Sequence, residues 1–258
     1  MQVHVINLKE AIERRKSITS QLEKLGIRYE IFDAIRGSSL SEKELNEKVD
    51  MQEVAKYPNW LTPNMLGCSL SHLGVYRRIA ESDTDWHLVL EDDVELDPNI
   101  VHFIETFEQT GNKFQGHIVL LYGVKLSGNI ILDKESLFEE GGRTIHKVKP
   151  NQHVGSTGAY FIHKATARKM FENNPLVKVA PDTWHFFRDQ GSIHQLNIVY
   201  PFLSRPALFE STIGYVNKKS LKYKLKHFVE SFKVPVLYQL LKRSRRNTFT
   251  RMSQVEFV

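Results

Sequence analysis

The sequence predicts an α/β fold of the Rossmann-like type, built on a mixed, mostly parallel sheet. Residues 3–35 have the order strand, helix, strand, which opens a parallel sheet whose connections are almost always right-handed. Further along, short uncharged segments rich in β-branched and aromatic residues predict additional strands. With 258 residues and 41% hydrophobic content, the chain is long enough to bury the core of one large domain.

The first elements follow from residue periodicity. VHVINL at residues 3–8 predicts a buried strand, and the next segment repeats apolar residues at helical spacing until Gly26 ends the helix. YEIFDAI at residues 29–35 predicts the second strand. The polar residues 36–64 predict a loop or a pair of short helices over the sheet, and a movable flap is one interpretation of this stretch.

The middle and late elements are predicted in the same way. MLGCSLSHLGVYRRIAE predicts an amphipathic helix with Ser69 or Ser71 near its start, and WHLVL predicts the strand after it. Two further strands, HIVLLYG and GAYFI, flank a glycine-rich stretch that is typical of a hairpin. The remaining predicted elements are the helices KATARKMFEN and TWHFFRDQG and the last strand, LNIVYPF.

The positive charge of the chain is concentrated in its C-terminal segment. Residues 216–258 contain 11 Lys or Arg against Glu230 and Glu256, a net charge of +9, whereas the other residues hold 24 basic and 28 acidic groups, a net charge of −4. The body is therefore mildly acidic and has no general affinity for polyanions. We predict an α/β domain at residues 1–215 and a basic helical tail at residues 216–258.

Cysteine usage and hydropathy exclude several classes of protein. Cys68 is the single cysteine, so an internal disulfide framework is excluded. No histidine spacing resembles a zinc site, and His194 is disfavoured as a late metal ligand. No early stretch has the order of a secretory signal, and no uncharged apolar run approaches the roughly 18 residues of a membrane-spanning helix. We therefore expect a cytoplasmic protein that does not cross a bilayer.

Three adjacent carboxylates, Glu91, Asp92 and Asp93, directly follow the predicted strand WHLVL. Such groups repel one another and are costly to desolvate, so their place beside a core segment indicates that a cation binds there. Ligands of open α/β sheets gather at the carboxyl ends of strands, and Mg²⁺ or Mn²⁺ combines one or two carboxylates with substrate phosphates and water. A metal-bound diphosphate fits this pattern. The alternative interpretation is a solvated acidic turn.

Four blocks of sequence support a more specific interpretation. HVINLKEAIERR, YEIFDAIRG, LGCSLSHLGVYRRI and LVLEDDV occur in this order, and GSTGAYFIHKATARKM and PDTW follow them. In order and spacing these blocks resemble glycosyltransferase family 25, the bacterial lipooligosaccharide galactosyltransferase group. The resemblance covers residues 1–215 and leaves the basic tail outside.

The resemblance implies a GT-A type fold, a UDP-sugar donor, with UDP-galactose expected, and transfer of the hexose to a saccharide with inversion at the anomeric carbon. In such enzymes an acidic motif related to Asp-x-Asp links the protein to the diphosphate through Mn²⁺ or Mg²⁺. By this resemblance Asp93 and Glu91 hold the metal, and Glu91 and Asp92 contact the donor. Glu91 stands where the family's first Asp is expected, which is a departure from the family pattern, and the resemblance implies a contact from this position to the ribose or the metal.

The chemistry of the reaction gives these carboxylates distinct roles. Negative charge develops on the leaving phosphate, and a cation at Asp93 stabilises it. Displacement with inversion also needs a base for the acceptor hydroxyl proton. Asp182, which matches an acidic position in the family's late block, is the candidate base, with Asp189 in reserve and Asp92 as a further alternative. A helix N-cap is the structural alternative for Asp182.

The family's opening block is where nucleotide contacts are expected. Asn7 and either Arg14 or Arg15 match that block, and Ala34 begins a stretch, residues 34–37, that could line the base pocket. A solvated helix face is the alternative for the arginines. Ser71 and His72 lie in the third block, where a capping serine and a packed histidine are the simpler interpretations. GSTGAY would allow close backbone approach to a sugar or form a plain turn.

The basic tail predicts a membrane contact. Leu221, Leu225, Phe228 and Phe232 fall on one helical face, with lysines largely elsewhere, and VLYQLLKRSRR repeats the combination. Such helices suit an anionic bilayer surface, where each Lys or Arg contributes about 1 kcal/mol. We therefore expect a lipid-linked oligosaccharide acceptor and a location on the inner face of the bacterial inner membrane. The alternative is that the apolar stripe packs on the domain; a nucleic-acid partner is not expected.

Two other function classes compete with sugar transfer. A metal-dependent phosphohydrolase or nuclease also uses acidic groups at a strand end, but a two-metal mechanism needs several converging carboxylates. A non-catalytic membrane adaptor would keep the fold, use the tail and tolerate loss of Asp93. The sequence contains one strong acidic cluster and one or two candidate partners, so the expected activity is metal-dependent glycosyl transfer.

Overall fold

A computed structural model describes residues 1–209, 229, 232 and 234–258. In these residues, helices cover both faces of a large sheet. The first half contains the elements β1 (Gln2–Asn7), α1 (Ile12–Lys24), β2 (Glu30–Asp33), α2 (Glu42–Lys48), α3 (Met51–Val54), α4 (Pro63–Ala80), β3 (Trp86–Glu91), β4 (Val94–Leu96), α5 (Ile100–Thr110) and β5 (His117–Leu120). The second half contains β6 (Ile130–Glu140), β7 (Arg143–Val148), β8 (Ala159–His163), α6 (Lys164–Glu172), α7 (Trp184–Asp189), β9 (Gln195–Tyr200), β10 (Ser204–Pro206), α8 (Pro235–Met252) and β11 (Val255–Phe257).

The main sheet is mixed and has the strand order β11-β6-β7-β9-β5-β8-β3-β1-β2. At one end, β1 pairs in parallel with both β2 and β3, which is the strand–helix–strand unit predicted from residues 3–35. Antiparallel β8 lies between β3 and β5, and β9 then runs parallel to β5. The predicted Rossmann-like α/β class with a mixed sheet is confirmed.

The core lies on both faces of this sheet. On one face α1 and α5 contribute Ile18, Leu22, Phe103 and Phe107, all fully buried against the strands. On the other face α4, α6 and α7 contribute buried Val75, Tyr76, Ile79, Met170 and Trp184. Helices therefore cover both faces of the sheet. This explains why the sequences of its central strands are continuous apolar runs and do not alternate between apolar and polar residues.

Local signals account for most element ends. Gly26 adopts φ +67°, which lets the chain leave α1 in the left-handed conformation that glycine accepts most readily. The hairpin predicted in the glycine-rich stretch is formed by β6 and β7, and its turn residues Gly141 and Gly142 have φ of +56° and +72°. Residues 36–64 contain the expected short helices, and Ser41 and Glu44 form a capping box at the start of α2.

The predicted start of α4 was wrong. The helix begins at Pro63, and the Thr62 side chain accepts a hydrogen bond from the backbone N–H of Met65. Ser69 and Ser71 lie inside the helix, where their hydroxyls donate to the carbonyls of Met65 and Gly67. Proline at the first helical position is preorganised for a helix start, and this signal outweighs a serine further along.

The C-terminal residues that the structure describes pack on the domain. In α8 the side chain of Phe249 packs against Tyr122 and Phe202. β11 then adds a parallel strand beside β6, with Val255 opposite Ile130. The predicted stripe residues Leu221, Leu225 and Phe228 lie outside the described residues. Within the described part of the chain, no helix combines the length and apolar character needed to cross a bilayer.

Candidate active site

The acidic triplet lies at the carboxyl edge of the parallel strands, as predicted. Asn7 ends β1, Asp33 ends β2 and Glu91 ends β3, so three strand ends meet at one level of the sheet. Asp92 and Asp93 form the turn from β3 to β4. The solvated-turn interpretation is wrong, because Asp92 is only 7% exposed.

Asp92 and Asp93 are held by Arg14. One terminal guanidinium nitrogen of Arg14 lies 3.1 Å from Oδ1 of Asp92 and 2.9 Å from Oδ2 of Asp93. Asn7 Nδ2 also donates to Oδ2 of Asp92 at 2.7 Å. Burial raises the pKa of Asp92 despite these contacts. Arg14 therefore joins the site to α1, and its neighbour Arg15 lies on the exposed face of the same helix.

Asp93 has the most unusual ionisation in the site. Burial and the nearby negative charges of Glu91 and Asp92 raise the pKa of Asp93 to about 7, and the charge of Arg14 only partly opposes them. The acidic corner carries more negative charge than Arg14 neutralises, which is the electrostatic condition for binding a further cation.

Glu91 is positioned by helix α4 and by the loop that leads into β8. Its Oε1 accepts a hydrogen bond from Thr157 Oγ1 at 2.5 Å and lies 3.2 Å from His72 Nε2. Burial alone would raise the pKa of Glu91, but the contacts with His72 and Thr157 and the charge of Arg14 lower it. His72 Nδ1 in turn lies 2.9 Å from the hydroxyl of Tyr160. His72 is therefore both packed and in direct contact with the site.

Asp182 reaches the same region from the segment before α7. Its carboxylate accepts a hydrogen bond from the backbone N–H of Ser156, and burial and the charge of Glu91 raise its pKa. The alternative of a helix N-cap is wrong, because Thr183 precedes the first residue of α7. A Cβ at Gly155 would lie 2.7 Å from Asp182 Oδ2, so glycine leaves the room that this carboxylate occupies. Residues 155–157 therefore lie beside Asp182 and also contact Glu91, through Thr157.

Tyr122, Ser156 and Thr157 were missed by the sequence analysis. Burial, together with the charges of Asp93, Glu91 and Asp182, raises the pKa of Tyr122. A Cβ at Gly158 would lie 2.1 Å from the Tyr122 hydroxyl, which explains the second glycine of GSTGAY. Ser156 has φ +116°, a strained value for a side-chain-bearing residue. The sequence predicted this segment only as a turn and did not indicate its strained backbone.

The remaining predicted residues divide into two groups. Ala34 lies next to the site, where its backbone N–H donates to the carbonyl of Asn7 at 2.9 Å. The stretch that it begins is fixed to α4, because Ser71 Oγ accepts from the N–H of Ile35 at 2.8 Å. Asp189 is exposed and pairs with its neighbour Arg188. His194 is exposed beyond α7. Neither Asp189 nor His194 contacts the acidic corner.

Backbone contact between two glycines holds the 34–37 stretch close to the helix that carries His72. A Cβ at Gly37 would lie 1.6 Å from the carbonyl oxygen of Pro63, and a Cβ at Gly67 would lie 2.4 Å from the nitrogen of Gly37. Neither position has room for a side chain. The loop after β2 therefore packs directly against the start of α4.

The fold and this site define a Rossmann-like α/β protein with a buried acidic centre at its strand ends. Residues 1–184 match the family described as glycosyltransferase family 25 (LPS biosynthesis protein). The chain therefore belongs to glycosyltransferase family 25. This family is the one that the four sequence blocks resemble.

Individual relatives are distant and longer than this chain. A glycosyltransferase 25 family member of Aedes aegypti is 24% identical over 184 residues, which are 69% of this chain and 29% of that protein. Procollagen galactosyltransferase 1-A of Xenopus laevis is 26% identical over 191 residues, again 29% of its length. The chain thus spans less than a third of these two relatives. A UTP-bound UGPase from Acinetobacter baumannii aligns with 92% of this chain and 99% of its own, at 12% identity and a TM-score of 0.44.

Proposed function

We propose that the chain is an inverting, metal-dependent glycosyltransferase that moves a hexose, galactose, from a UDP-sugar to a growing lipooligosaccharide. The observation that carries the proposal is the meeting of Glu91, Asp93 and Asp182 at the strand ends of a family 25 chain. A nucleotide diphosphate needs a cationic partner, and the acceptor hydroxyl needs a base. This centre offers groups for both tasks.

Glu91 and Asp93 would hold the divalent cation. Their carboxylate oxygens are the ligand type that Mn²⁺ and Mg²⁺ prefer, and the excess negative charge at this corner favours a cation there. When bound, the ion would neutralise charge on the diphosphate as the sugar leaves. Arg14 keeps Asp92 and Asp93 in place, and Asn7 fixes Asp92 from the end of β1. The nucleotide would then lie against Ala34 and the loop after β2.

Asp182 would act as the general base. In the proposed step the acceptor hydroxyl oxygen forms a bond to the anomeric carbon, the bond from that carbon to the phosphate oxygen breaks, and UDP leaves with the electron pair. The hydroxyl proton passes to the Asp182 carboxylate. Burial and the charge of Glu91 raise the pKa of Asp182, which makes its carboxylate a better proton acceptor than an exposed aspartate.

The choice of sugar and acceptor is supported by descriptions of the family and its members. The family description names LPS biosynthesis, which supports a lipid-linked saccharide acceptor. A relative named as a procollagen galactosyltransferase supports galactose as the transferred sugar. Location on the inner face of a bacterial inner membrane would bring the site to such an acceptor.

The experiment that tests the proposal is a screen of UDP-sugars for transfer or hydrolysis with Mn²⁺, Mg²⁺ or a chelator. We expect turnover of UDP-galactose that requires the metal. Asp93→Asn should lower the rate about 100-fold or more, because charge stabilisation of the leaving group is commonly a large catalytic term. Glu95→Gln is the matched control, since Glu95 is an exposed carboxylate two residues away that pairs with Arg205.

Two results would contradict the proposal. One is full transfer by a folded Asp93→Asn variant, which would remove the metal role. The other is the absence of turnover with every UDP-sugar and metal while circular dichroism shows a folded chain.

A further inference from the structure

Cys68, His72 and Glu91 meet at the edge of the acidic centre. Cys68 and His72 are four residues apart on α4, so their side chains project from the same face of the helix. Glu91 approaches from the end of β3. One ligand atom from each residue, the thiol sulfur, an imidazole nitrogen and a carboxylate oxygen, lies within 4.8 Å of the others. Neither Cys68 nor His72 was predicted from the sequence as a metal ligand.

These three donors have a definite chemical preference. Thiolate and imidazole are ligands for Zn²⁺ and similar ions, whereas Mg²⁺ and Mn²⁺ favour oxygen. A pair of ligands four residues apart on a helix, completed by a third from another element, is a recurrent way of holding zinc. Three protein ligands with the fourth position open are typical of a zinc ion that also binds water or a substrate group.

The surroundings of His72 suit a ligating imidazole. Nε2 of His72 faces Glu91 at 3.2 Å, and Nδ1 lies 2.9 Å from the hydroxyl of Tyr160. With a metal on Nε2, the proton sits on Nδ1 and is donated to Tyr160, whose own hydroxyl donates to Tyr76 at 3.1 Å. Metal-binding histidines commonly have such a partner on the second nitrogen, because it fixes the tautomer and the ring orientation.

The cluster is accessible from one side. The His72 side chain is 1% exposed and forms the floor, whereas the Glu91 side chain is 22% exposed and Cys68 is half-buried. The cluster therefore combines one buried ligand with two partly exposed residues.

We propose that Cys68, His72 and Glu91 form a binding site for a thiophilic divalent cation of the Zn²⁺ class, distinct in chemistry from an all-oxygen site for Mn²⁺ or Mg²⁺. Glu91 belongs to both ligand sets. An ion bound by Cys68 therefore competes with an ion held by Glu91 and Asp93. The inference does not depend on sugar transfer, since it concerns metal binding by the unliganded chain.

Titration of the metal-free chain with Co²⁺, a spectroscopic substitute for Zn²⁺, tests this site. The chain has a single cysteine, so a thiolate-to-cobalt charge-transfer band reports on Cys68 alone. We expect the band to saturate at one ion per chain and to disappear when Zn²⁺ is added. Cys68→Ser should abolish the band and weaken Zn²⁺ binding by more than about 10-fold, since even loss of an outer-shell partner costs 10–100-fold.

Two further variants sharpen the test. His72→Gln should weaken Zn²⁺ binding by a similar factor while leaving a thiol present. His194→Gln is the matched control and should bind as the unaltered chain does, because His194 is exposed away from the cluster. Circular dichroism checks that each variant is folded, and Cys68→Ser changes one atom of a half-buried side chain, so it keeps the test valid if His72→Gln unfolds.

Several outcomes would overturn the proposal. They are the absence of the charge-transfer band in the folded chain, Zn²⁺ binding of unchanged affinity in Cys68→Ser, and saturation at half an ion per chain, which would mean that two chains share the metal. Because no donor sugar is present, a negative result here leaves the proposed sugar transfer standing. Failure of the UDP-sugar screen in turn leaves the cobalt band unaffected.

Discussion

Arg14 is the residue that makes the acidic corner compatible with a folded core. Its guanidinium contacts both Asp92 and Asp93, and its side chain is 11% exposed. Removing one partner of a buried charge pair leaves the other charge unpaired in a poorly solvated place. The stability of the chain and the geometry of the site therefore depend on the same side chain.

We expect Arg14→Gln to lower the free energy of unfolding by about 3 kcal/mol, the scale observed when a buried ion pair loses one member. Urea unfolding monitored by circular dichroism measures this change. Arg15→Gln is the control, since Arg15 is exposed on the same helix and should change stability by less than about 0.5 kcal/mol. Equal effects of the two substitutions would show that the contacts of Arg14 with the carboxylates do not stabilise the fold.

Asp182 gives a second prediction at this scale. Asp182→Asn keeps the shape of the side chain but cannot accept the acceptor proton, so kcat should fall by a factor of about 10² to 10⁴ while the donor KM stays nearly constant. The measurement is steady-state transfer with varied donor. Asp189→Asn, on the exposed end of α7, should behave as the unaltered chain. A normal kcat in Asp182→Asn would assign the base elsewhere.

The residues of the site were predictable where a sequence block marked them and unpredictable where only the fold brings them together. Asn7 and Glu91 to Asp93 end predicted strands, so their meeting followed from parallel pairing. The sequence did not show which of Arg14 and Arg15 faces the core, because a shift of one residue in the helical phase exchanges their positions. Tyr122 follows a buried strand and has the pattern of core sequence, and only the sheet order, in which β5 lies two strands away from β3, brings it toward the site.

At the scale of elements, β1 and β3 are joined by more than backbone pairing. His4 and His87 are both fully buried, and Nε2 of His4 lies 3.0 Å from Nδ1 of His87. His87 Nε2 lies 2.8 Å from the carbonyl of Thr84, so it carries the proton and its Nδ1 accepts from His4. Burial lowers the pKa of His4 from 6.5 to about 3 and that of His87 from 6.5 to about 4. Both rings are therefore neutral in the folded chain.

This pair predicts loss of stability in mild acid. Between about pH 6.5 and pH 4 the unfolded chain binds protons that the folded chain does not, so the free energy of unfolding falls as the pH falls through this window. Each histidine should contribute on the order of 2 kcal/mol of this loss between pH 7.5 and pH 5. Urea unfolding at the two pH values should show a smaller difference for His4→Gln, and an unchanged one for the exposed-site control His194→Gln. An equal pH dependence in His4→Gln would exclude the pair as the cause.

The elements themselves were largely predictable, for identifiable reasons. Buried strands and amphipathic helices have strong periodic signals, and Gly26 and the pair Gly141 and Gly142 mark turns that need positive φ. The start of α4 was misplaced because the proline and threonine before it were treated as part of a loop. β11 was not predicted at all, since a three-residue strand gains its structure from the edge of β6 and has no pattern of its own.

For the whole molecule, the outer face of α8 bears on how the chain would meet a membrane. Phe249 faces the domain, whereas Val236, Leu237 and Leu240 are 72%, 47% and 55% exposed. Exposed Arg243 and Arg246 follow on the same helix. Apolar side chains next to basic ones are the combination that binds an anionic bilayer surface. Packing on the domain uses the face of α8 that carries Phe249, and we propose the opposite, exposed face for the membrane contact.

We expect the double variant Leu237→Ser and Leu240→Ser to bind anionic vesicles more weakly than the unaltered chain, because it loses the apolar part of the contact. Vesicle sedimentation with anionic and zwitterionic lipids, at low and high salt, measures this. Asn247→Ser with Thr250→Ser on the exposed face is the control and should bind normally. Binding that is equal for both variants, or insensitive to salt, would remove α8 as the contact and leave the membrane prediction to residues outside the described part of the chain.

The half-buried thiol of Cys68, next to the acidic centre, can report on ligand binding in the unaltered chain. Burial and the charges of Glu91 and Asp182 raise the pKa of Cys68, so alkylating reagents should modify it slowly at neutral pH. Any ligand that screens those charges or covers the sulfur would change the rate of modification. Ligand binding at the acidic centre can thus be followed by mass spectrometry on native material, without introducing a reporter group.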